Sequence, residues 1–416
     1  MTGVAAGLGL LMAPFRGLRY ADPNSLARRL APPYDVVTPE MRRALEKQDH
    51  ANIINVDIPL APPGADPYAE AASLFKSWQK SGILVRENEP AVYVLRTTTK
   101  SEDGTSMTRT GAFLAVACMQ FGPGGRVRPH EKTHAGPKED RRRLTLATGA
   151  NISPVFLLTP DSLGGLAKQL GEVTTEQPWV RTEALDARHD AWIVKGSRAL
   201  RIATIAGDEP VYIADGHHRY ETAVLFKEEA PRQWRIGAER TLAHIVSFKD
   251  PGLAILPTHR LVDGKPLERK HVLQWANPYF ARALPDQTPH LTCLFADGSE
   301  AAMVLREGAD LSAASDLPQH PTVRNLAVTV ADSVFIRVVM KTVLGKEPIY
   351  RYSASALEAR ESVRKGKCAV AVLLPPTKLE EIKAASDAGQ VMPQKSTYFA
   401  PKVPSGVVMR VLEGEM

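Results

Sequence analysis

Short runs of β-branched and apolar residues alternate with helical patterns along the first part of this chain, and this alternation limits its fold most. The runs AVYVLRT, GAFLAVACM and SPVFLLT are each bounded by turn residues, as strands usually are. One helix is predicted from Pro39 to Asp49 with Thr38 as its N-cap, and a second from Pro67 to Ser81, ending at Gly82. Strands interspersed with helices predict an α/β fold of the mixed α+β kind.

Chain length sets the number of domains to expect. The 416 residues exceed one ordinary domain. We predict an N-terminal α/β region over 12–175, a central region over 180–265 and a C-terminal α/β region over 266–416, which are free to interleave in space. An apolar fraction of 44% supplies a core of ordinary size, so neither a metal nor a disulfide is needed to hold it together.

Cysteine usage and hydropathy exclude several classes of protein. The three cysteines, Cys118, Cys293 and Cys368, are far apart and form no C-x-x-C pair, which argues against a disulfide framework, a zinc ribbon or a thiol redox site. The first residues lack the basic start of a secretory signal. No stretch approaches the roughly 20 apolar residues of a membrane span. We therefore expect a cytoplasmic protein with no membrane partner.

The strongest functional signal is the end of the run VYIAD, which reads as a buried strand and leads straight into Gly216. Glycine has no Cβ, so a ligand can approach the backbone closely there. A helix is predicted from about Gly216 to Glu229, with Asp215 as its N-cap. The N–H groups and the dipole at a helix start attract an anion. This strand–glycine–helix junction predicts a phosphate-binding turn.

Three side chains after Gly216 strengthen that prediction. Arg219 offers a bidentate, permanently charged fork for phosphate oxygens. His217 and His218 offer ring N–H donors and can change charge near neutral pH. Two alternatives remain open: a capped helix whose histidines bond local carbonyls, and a metal site. His217 or His218 would share the metal with Glu221, since both lie on one helical face with it.

Basic residues are concentrated in the stretch 122–143, which is predicted to be a long polar loop between two strands. They are Arg126, Arg128, Lys132, Lys138, Arg141, Arg142 and Arg143. Long polar insertions between core strands are usually functional. We expect His130, Lys132, Lys138 and Arg141 to close over a phosphorylated ligand, with Glu131 as general base or metal ligand. The alternative is a solvated loop that binds nothing. No nucleic-acid-binding module accompanies the charges, so we do not expect a nucleic acid partner.

The same stretch contains a motif that we interpret as coincidental. His130-Glu131-Lys132-Thr133-His134 fits H-E-x-x-H, the pattern of zinc proteases. The pattern works only on a helix, where the two histidines share a face. Pro129 precedes it, Gly136 and Pro137 follow it, and the flanks are charged rather than apolar. We do not expect zinc peptidase chemistry.

Weaker candidates lie elsewhere in the chain. Arg16 in PFRG and Asp35 in PPYD occupy proline-containing turns, which hold side chains rigidly or simply punctuate a fold. His259 and Arg260 in LPTHRL follow a predicted strand and are candidates for substrate binding. Near the C-terminus one cation and three hydroxyl side chains are adjacent: Lys395, Ser396, Thr397 and Tyr398. This cluster either binds an anion or is a surface loop without a ligand. No Walker A or G-x-G-x-x-G pattern occurs, so P-loop and Rossmann cofactor sites lack support.

ADGHHRYETA resembles the signature turn of the ParB/sulfiredoxin superfamily, which includes CTP-binding partitioning proteins, sulfiredoxins and free-serine kinases. The resemblance implies that Gly216 to Arg219 hold nucleotide phosphates. Sulfiredoxins carry a cysteine where this chain has His217, and partitioning proteins carry an acidic and then a basic residue there and add a helix-turn-helix domain. The free-serine kinases carry Asp-Gly-His-His-Arg itself.

A wider resemblance covers nearly the whole chain. It rests on PFRGLRY, LAPPYDVV, NIINVDIP, RPHEKT with GPKEDR, NISPVF, DGHHRYETA, ILPTHRL, and MPQKSTYF with PK and SG. These segments resemble a bacterial and archaeal family of unknown function whose members are sometimes labelled ParB-like. The resemblance identifies a family but implies no settled reaction.

Together these observations predict a nucleotide-dependent phosphotransferase that acts on a small hydroxylated metabolite such as serine. Mg²⁺ with ATP, ADP or CTP would be the cofactor, and Glu131 would receive the hydroxyl proton, with Asp35 as the second choice and His218 as a further catalytic candidate. The alternatives are a ParB-like nucleotide-binding regulator without turnover and a phosphatase that uses water as acceptor. The acceptor, the nucleotide and the oligomeric state stay open.

Overall fold

The computed structural model describes residues 10–101, 104–122, 124–133 and 135–414. The chain folds into two compact units. The first unit comprises the residues up to Arg128, Thr133–Leu253 and the residues from Pro401 onward, and the second comprises Pro129–Lys132 and Ala254–Ala400. Because the chain passes between the units four times, neither unit is a continuous piece of sequence.

Strands and helices occur throughout both units, which confirms the predicted mixed α/β class. Within the described residues the strands are β1 (Met12–Ala13), β2 (Gly17–Tyr20), β3 (Leu84–Arg86), β4 (Ala91–Lys100), β5 (Ser106–Ala117), β6 (Val127–Arg128), β7 (Ala150–Asn151), β8 (Val155–Thr159), β9 (Val180–Ala184), β10 (Ala187–Lys195), β11 (Val211–Asp215), β12 (Arg240–Ser247), β13 (Ala254–Leu256), β14 (His259–Val262), β15 (Phe280–Arg282), β16 (Leu291–Leu294), β17 (Glu300–Leu305), β18 (Tyr350–Ser353), β19 (Val370–Leu373), β20 (Tyr398–Ala400) and β21 (Met409–Val411).

The α-helices of the same residues are α1 (Leu26–Arg29), α2 (Pro39–Gln48), α3 (Ile54–Asp57), α4 (Pro67–Lys80), α5 (Ala135–Thr148), α6 (Gly165–Val173), α7 (Gly196–Ala206), α8 (His217–Glu229), α9 (Arg235–Ala238), α10 (Arg269–Ala276), α11 (Pro321–Arg324), α12 (Ala327–Thr329), α13 (Lys341–Leu344), α14 (Ala356–Arg364) and α15 (Leu379–Asp387). A π-helical segment, Val330–Met340, joins α12 to α13, and single 3-10 turns cover Pro23–Ser25, Tyr34–Val36 and Arg232–Trp234. None of these helices has the length and apolar character to cross a bilayer, as far as the described residues go.

In the described residues of the first unit, the main sheet has nine strands in the order β6-β11-β8-β12-β5-β4-β10-β9, with β1 paired to β5. Pairing is parallel between β6 and β11 and between β8 and β12, and antiparallel elsewhere. Alternate residues of each strand face one core, because successive side chains point to opposite sides of a sheet. Val92 and Val94 of β4 and Leu114 of β5 pack there with residues of α6 and α7.

A second, four-stranded sheet of the first unit has the order β3-β2-β21-β7. Its strands come from opposite ends of the chain, since β2 pairs with β21 through Gly17 and Arg410. The C-terminal residues are therefore an integral part of the first unit.

In the second unit the described residues form a six-stranded antiparallel sheet of order β15-β17-β16-β19-β14-β18. Helix α14 packs on it through Ala359 and Val363, against Leu261 and Leu294. A two-stranded ribbon pairs β13 with β20. This ribbon leads into the Lys395–Tyr398 cluster named from the sequence.

Local signals predicted the early helices well. Helix α2 begins at Pro39, and the Thr38 hydroxyl accepts the N–H of Met41 at 3.2 Å, as expected of an N-cap. Helix α4 begins at Pro67 and ends at Lys80, and Gly82 has a φ of +75°. The strands predicted at AVYVLRT, GAFLAVACM, SPVFLLT and VYIAD are β4, β5, β8 and β11. These predictions are confirmed.

The predicted loop over 122–143 was wrong in its second half. From Ala135 onward the chain is helical, as α5. Pro137 lies in the first turn, where a missing N–H costs nothing, and Arg142 pairs with Glu139 one turn back at 2.8 Å. The charged residues that suggested a loop are thus three residues apart, a spacing that allows ion pairs along a helix. The H-E-x-x-H motif lies before α5: Glu131 forms a β-bridge with Met392, and the motif's second histidine, His134, lies outside the described residues.

Candidate functional site

The predicted phosphate-binding turn lies where β11 ends in the first unit. The register of β11 against β8 shifts between Ile213 and Asp215, so the strand bulges just before the turn. Gly216 follows with a φ of +88°, in the left-handed region that favours glycine. Helix α8 then begins at His217, and Tyr220 donates the first helical hydrogen bond to the Gly216 carbonyl at 2.9 Å. The N–H groups of the first turn therefore lie at the end of the strand.

Asp215 collects positive charge rather than capping the helix. One carboxylate oxygen accepts the Gly216 N–H at 2.8 Å, and the other lies 3.1 Å from the Lys402 ammonium and 3.6 Å from Arg219 Nη2. Gly216 itself occupies the cap position, so the prediction of Asp215 as N-cap was wrong by one residue. Burial raises the pKa of Asp215, but Lys402 and Arg219 outweigh it and hold that pKa below its usual range. The carboxylate thus stays ionised between two cations.

Arg219 packs closely against the turn. Its side chain is 8% exposed, and Nη1 donates to the Pro154 carbonyl. A Cβ at position 216 would come within 2.9 Å of Arg219 Nε and 3.0 Å of its Cζ. The φ of Gly216 therefore favours glycine, and a side chain at this position would also displace the Arg219 guanidinium. Part of the fork expected for phosphate is engaged by the protein itself.

Lys402 is a site residue that the sequence reasoning missed. Its side chain is 16% exposed and its ammonium contacts Asp215, 187 residues earlier in the chain. The lysine stands in the PK segment that contributes to the family resemblance, and this was the only signal that pointed to it. With Arg219 it leaves a surplus of positive charge beside the ionised Asp215.

Helix α8 continues the site with charged side chains already in contact. Glu221 accepts the Lys138 ammonium at 2.9 Å through one oxygen and the Thr133 hydroxyl through the other. Burial raises the pKa of Glu221, but Thr133 and Lys138 outweigh it and lower that pKa. His217 is buried and His218 is half-buried beside it. Within the described part of the chain, no three His, Cys, Asp or Glu side chains form a group that could hold a metal ion.

Arg141, predicted to bind phosphate, is buried inside the first unit instead. Its guanidinium donates to the Asp57 carboxylate at 2.7 Å and to the Asp57 carbonyl at 2.8 Å. Nε donates to Asp140 at 2.7 Å. A loop was expected here, but Arg141 lies on helix α5. On this helix its side chain is buried and reaches Asp57, an acid 84 residues away in the sequence.

Glu131 lies in the second unit, in a short stretch that pairs with the C-terminal part of that unit. Its carboxylate accepts the Ser396 N–H at 3.2 Å and lies 4.0 Å from His130 Nε2. The His130 ring is fully buried, 3.0 Å from the Thr397 hydroxyl. The structure therefore brings together Glu131, His130 and the Lys395–Tyr398 cluster, which the sequence analysis had named separately.

His259 and Arg260 lie in the same unit but face its interior. Arg260 is fully buried and forms a bidentate pair with Asp332, at 2.8 and 2.9 Å. His259 accepts the Leu374 N–H at 3.2 Å. Lys395 has a φ of +55°, a left-handed conformation that is uncommon for a residue with a side chain. Such strain occurs where a loop is held by its surroundings, here by a hydrogen bond from Thr258 to the Lys395 carbonyl.

The remaining candidates have fewer contacts. Arg16, in the first unit, donates to the Glu87 carbonyl at 3.1 Å. Asp35 is exposed and follows Tyr34, whose ring centre lies 6.0 Å from Arg219 Cζ. Lys132 is exposed in the second unit. Asp35 therefore directly follows a residue whose ring is in range of Arg219.

Residues 12–329 match the family described as "Protein of unknown function (DUF1015)". The chain belongs to this family. The match covers both the Asp215–Arg219 turn and the Glu131 segment. No curated protein matches the chain.

Among solved structures, the chain is similar to a variant of a free serine kinase in complex with ADP, with 14% identity over 71% of this chain and 92% of that one and a TM-score of 0.36. A conserved hypothetical protein from Pyrococcus furiosus matches with 13% identity over 72% and 95%, at 0.35. SbnI from Staphylococcus aureus, truncated at its C-terminus, matches with 11% identity over 70% and 85%, at 0.37. All three TM-scores are below 0.5, so these similarities say nothing about the activity of this chain.

Proposed function

We propose that this chain is a nucleotide-dependent phosphotransferase that transfers a phosphoryl group to a small hydroxylated metabolite such as serine. The turn from Asp215 to Arg219 would hold the phosphates of ATP, ADP or CTP, as a turn of ParB/sulfiredoxin type. Mg²⁺ would enter bound to those phosphates and neutralise charge that develops on them.

The observation that carries this proposal is the charge balance at the start of α8. Lys402 and Arg219 lie 3.1 Å and 3.6 Å from the same ionised carboxylate of Asp215, so two cations accompany one anion. The left-handed Gly216 brings the backbone of the first helical turn to the same point. Backbone N–H groups, a helix dipole and a surplus cation together favour a polyanion such as a nucleotide phosphate.

Glu131 is our candidate for the general base. A carboxylate must be partly solvated and oriented to take a proton from a hydroxyl group. The Glu131 side chain is 17% exposed and is oriented by the Ser396 N–H at 3.2 Å. Asp35 is the second choice because it is exposed in the first unit, and His218 is a further candidate beside the turn. Lys395, His130 and their neighbours would bind the acceptor.

The test is ³¹P NMR of the purified protein with Mg²⁺ and ATP, ADP or CTP, each with and without serine. A new phosphomonoester resonance that needs serine is the expected result, and the nucleotide that yields it is the donor. Nucleotide resonances that shift without turnover would favour a regulator instead, and release of free phosphate alone would favour a hydrolase.

Variants then connect the reaction to the proposed residues. Arg219→Ala should abolish turnover while the far-UV circular dichroism spectrum stays unchanged. Arg235, exposed at the start of α9, provides a control of equal charge, and Arg235→Ala should react as the wild type does. Unchanged turnover in Arg219→Ala would remove the turn from the mechanism.

A further inference from the structure

A buried network around Asp57 connects distant parts of the first unit. Asp57, the last residue of α3, is fully buried. Besides the two bonds from Arg141, its carboxylate accepts the Ser153 hydroxyl at 2.6 Å and the Ser405 hydroxyl at 3.3 Å. These donors lie 84, 96 and 348 residues away in sequence. A buried carboxylate with this many partners is held in one position, because the hydroxyls satisfy its oxygens and losing Arg141 would leave a buried charge uncompensated.

Arg141 is held by this network, and its guanidinium carbon lies over the Tyr34 ring. Its edges are engaged by Asp57 and Asp140, and its side chain is 8% exposed. Its Cζ lies 4.2 Å from the Tyr34 ring centre, which is within the range of a cation–π contact. The Tyr34 backbone is also restrained, because it lies in a 3-10 turn in which the Val37 N–H donates to the Tyr34 carbonyl at 3.4 Å.

The same tyrosine reaches the phosphate-binding turn. Arg219 Cζ lies 6.0 Å from the Tyr34 ring centre, so the ring is in range of both guanidiniums. Burial raises the pKa of Tyr34 to about 12, against the lowering influence of Arg219 and Arg141, so the phenol stays neutral at physiological pH. Asp57, Arg141 and Arg219 also line one cavity of about 50 Å³. The network and the turn are therefore parts of one packed region.

We infer that Tyr34, held by Arg141 and the Asp57 network, is a positioning residue that, together with Pro154 and Asp215, holds the guanidinium of Arg219 at the phosphate-binding turn. This inference rests on the proposed function, in which that turn holds nucleotide phosphates. Arg141 acts through Tyr34 and does not touch the ligand. Arg141 thus contacts Tyr34 inside the protein, and through Tyr34 it restrains the side chain of Arg219.

The ring of Tyr34 is the part that matters, so the two informative variants are Tyr34→Phe and Tyr34→Leu. The first keeps the aromatic face and the second removes it. In ¹⁵N-labelled protein without ligand, the Nε–H resonance of Arg219, identified by its loss in Arg219→Lys, reports how firmly the guanidinium is held. We expect its hydrogen exchange to be at least tenfold faster in Tyr34→Leu and to match the wild type in Tyr34→Phe. Equal exchange rates in all three proteins would overturn the inference.

A binding measurement extends the test to Arg141. The dissociation constant for inorganic tripolyphosphate should rise five- to tenfold in Tyr34→Leu and in Arg141→Met, and stay within twofold of wild type in Tyr34→Phe. Arg143→Met is the matched control: Arg143 lies on the same helix and contacts the Tyr68 ring at 4.3 Å. Since Arg141 is buried, Arg141→Met can fail to fold, and Tyr34→Leu then carries the test alone.

The two readouts separate this inference from the proposed function. If the wild-type protein binds neither tripolyphosphate nor nucleotide, the proposed function fails, whereas the exchange rate of the Arg219 Nε–H still decides whether Tyr34 positions it. If ligands bind and Tyr34→Leu leaves both the exchange rate and the affinity unchanged, the function survives and the positioning role is refuted.

Discussion

Replacing Gly216 by alanine tests the geometry of the turn at the point where the backbone meets Arg219. Two costs follow from the structure. Alanine must adopt a φ of +88°, which costs roughly 1–2 kcal/mol for a residue with a Cβ. The new Cβ would also lie 2.9 Å from Arg219 Nε and 3.0 Å from Cζ, and such overpacking costs about 1–3 kcal/mol. We therefore expect Gly216→Ala to lose roughly 2–5 kcal/mol of unfolding free energy.

Gly64 provides a matched control for the first cost. It has the same φ of +88°, but nothing lies within 4 Å of the Cβ that it would gain. Gly64→Ala should therefore lose only the roughly 1–2 kcal/mol of backbone strain. The difference between the two variants measures the collision with Arg219 by itself.

The collision should also weaken ligand binding. A displaced Arg219 loses a charge-assisted contact of about 1.5–3 kcal/mol, equivalent to a rise of roughly ten- to a hundredfold in the dissociation constant. Urea denaturation followed by circular dichroism gives the stabilities, and calorimetric titration with tripolyphosphate gives the affinity. A collision between the Cβ and Arg219 is refuted if Gly216→Ala is no less stable than Gly64→Ala, or if it binds tripolyphosphate as tightly as the wild type.

Three further predictions follow from the site and its surroundings. Lys402→Met should weaken tripolyphosphate binding about tenfold, because it removes a cation. Asp215→Asn should strengthen binding, because it removes the carboxylate that competes with phosphate for Lys402. If titration calorimetry shows the affinity changing in the same direction in both variants, the predicted charge effect is wrong. Glu131→Gln should abolish the formation of phosphomonoester while the nucleotide affinity stays within twofold, and turnover in the ³¹P assay would exclude Glu131 as base. Burial lowers the pKa of His189 to about 4, so the stability due to its neutral form is complete above pH 6.5 and is lost as the pH falls toward 4. His189→Gln should therefore lose less unfolding free energy than the wild type over that pH range. If urea titrations show the same dependence of stability on pH in both proteins, this prediction is wrong.

Local chemistry explains what the sequence could predict. Helices α2 and α4 begin where Thr38 and Asp66 accept N–H groups of the first turn, and such capping depends on residues only two or three positions apart. The turn after β11 was recognisable for the same reason, since a buried strand, a glycine and charged helix residues are adjacent. Each of these predictions depended on residues that are close together in the sequence.

The parts that could not be predicted depend on contacts across long stretches of sequence. Lys402 completes the turn from 187 residues away, and no local pattern marks it as a partner of Asp215. Arg141 was expected at a ligand because its segment is basic, yet its partner is the buried Asp57, 84 residues earlier. A charge in a sequence indicates that a partner is needed but does not identify it. The contact of Glu131 with Ser396 is a further example, because the two residues lie 265 positions apart in the sequence.

The pairing of β2 with β21 has a consequence for the synthesis of this protein. Gly17 pairs with Arg410, so this edge of β2 has no strand to pair with until Arg410 has left the ribosome. At 5–20 residues per second, the intervening roughly 390 residues take about 20–80 s to make. Lys402 follows Asp215 by 187 residues, so at the same rate the nascent chain lacks part of its phosphate-binding turn for about 9–37 s after Asp215 is made. An unpaired edge held open that long is a site for wrong pairing between neighbouring nascent chains, and slower translation or loss of the last residues should therefore cause aggregation before it causes loss of activity.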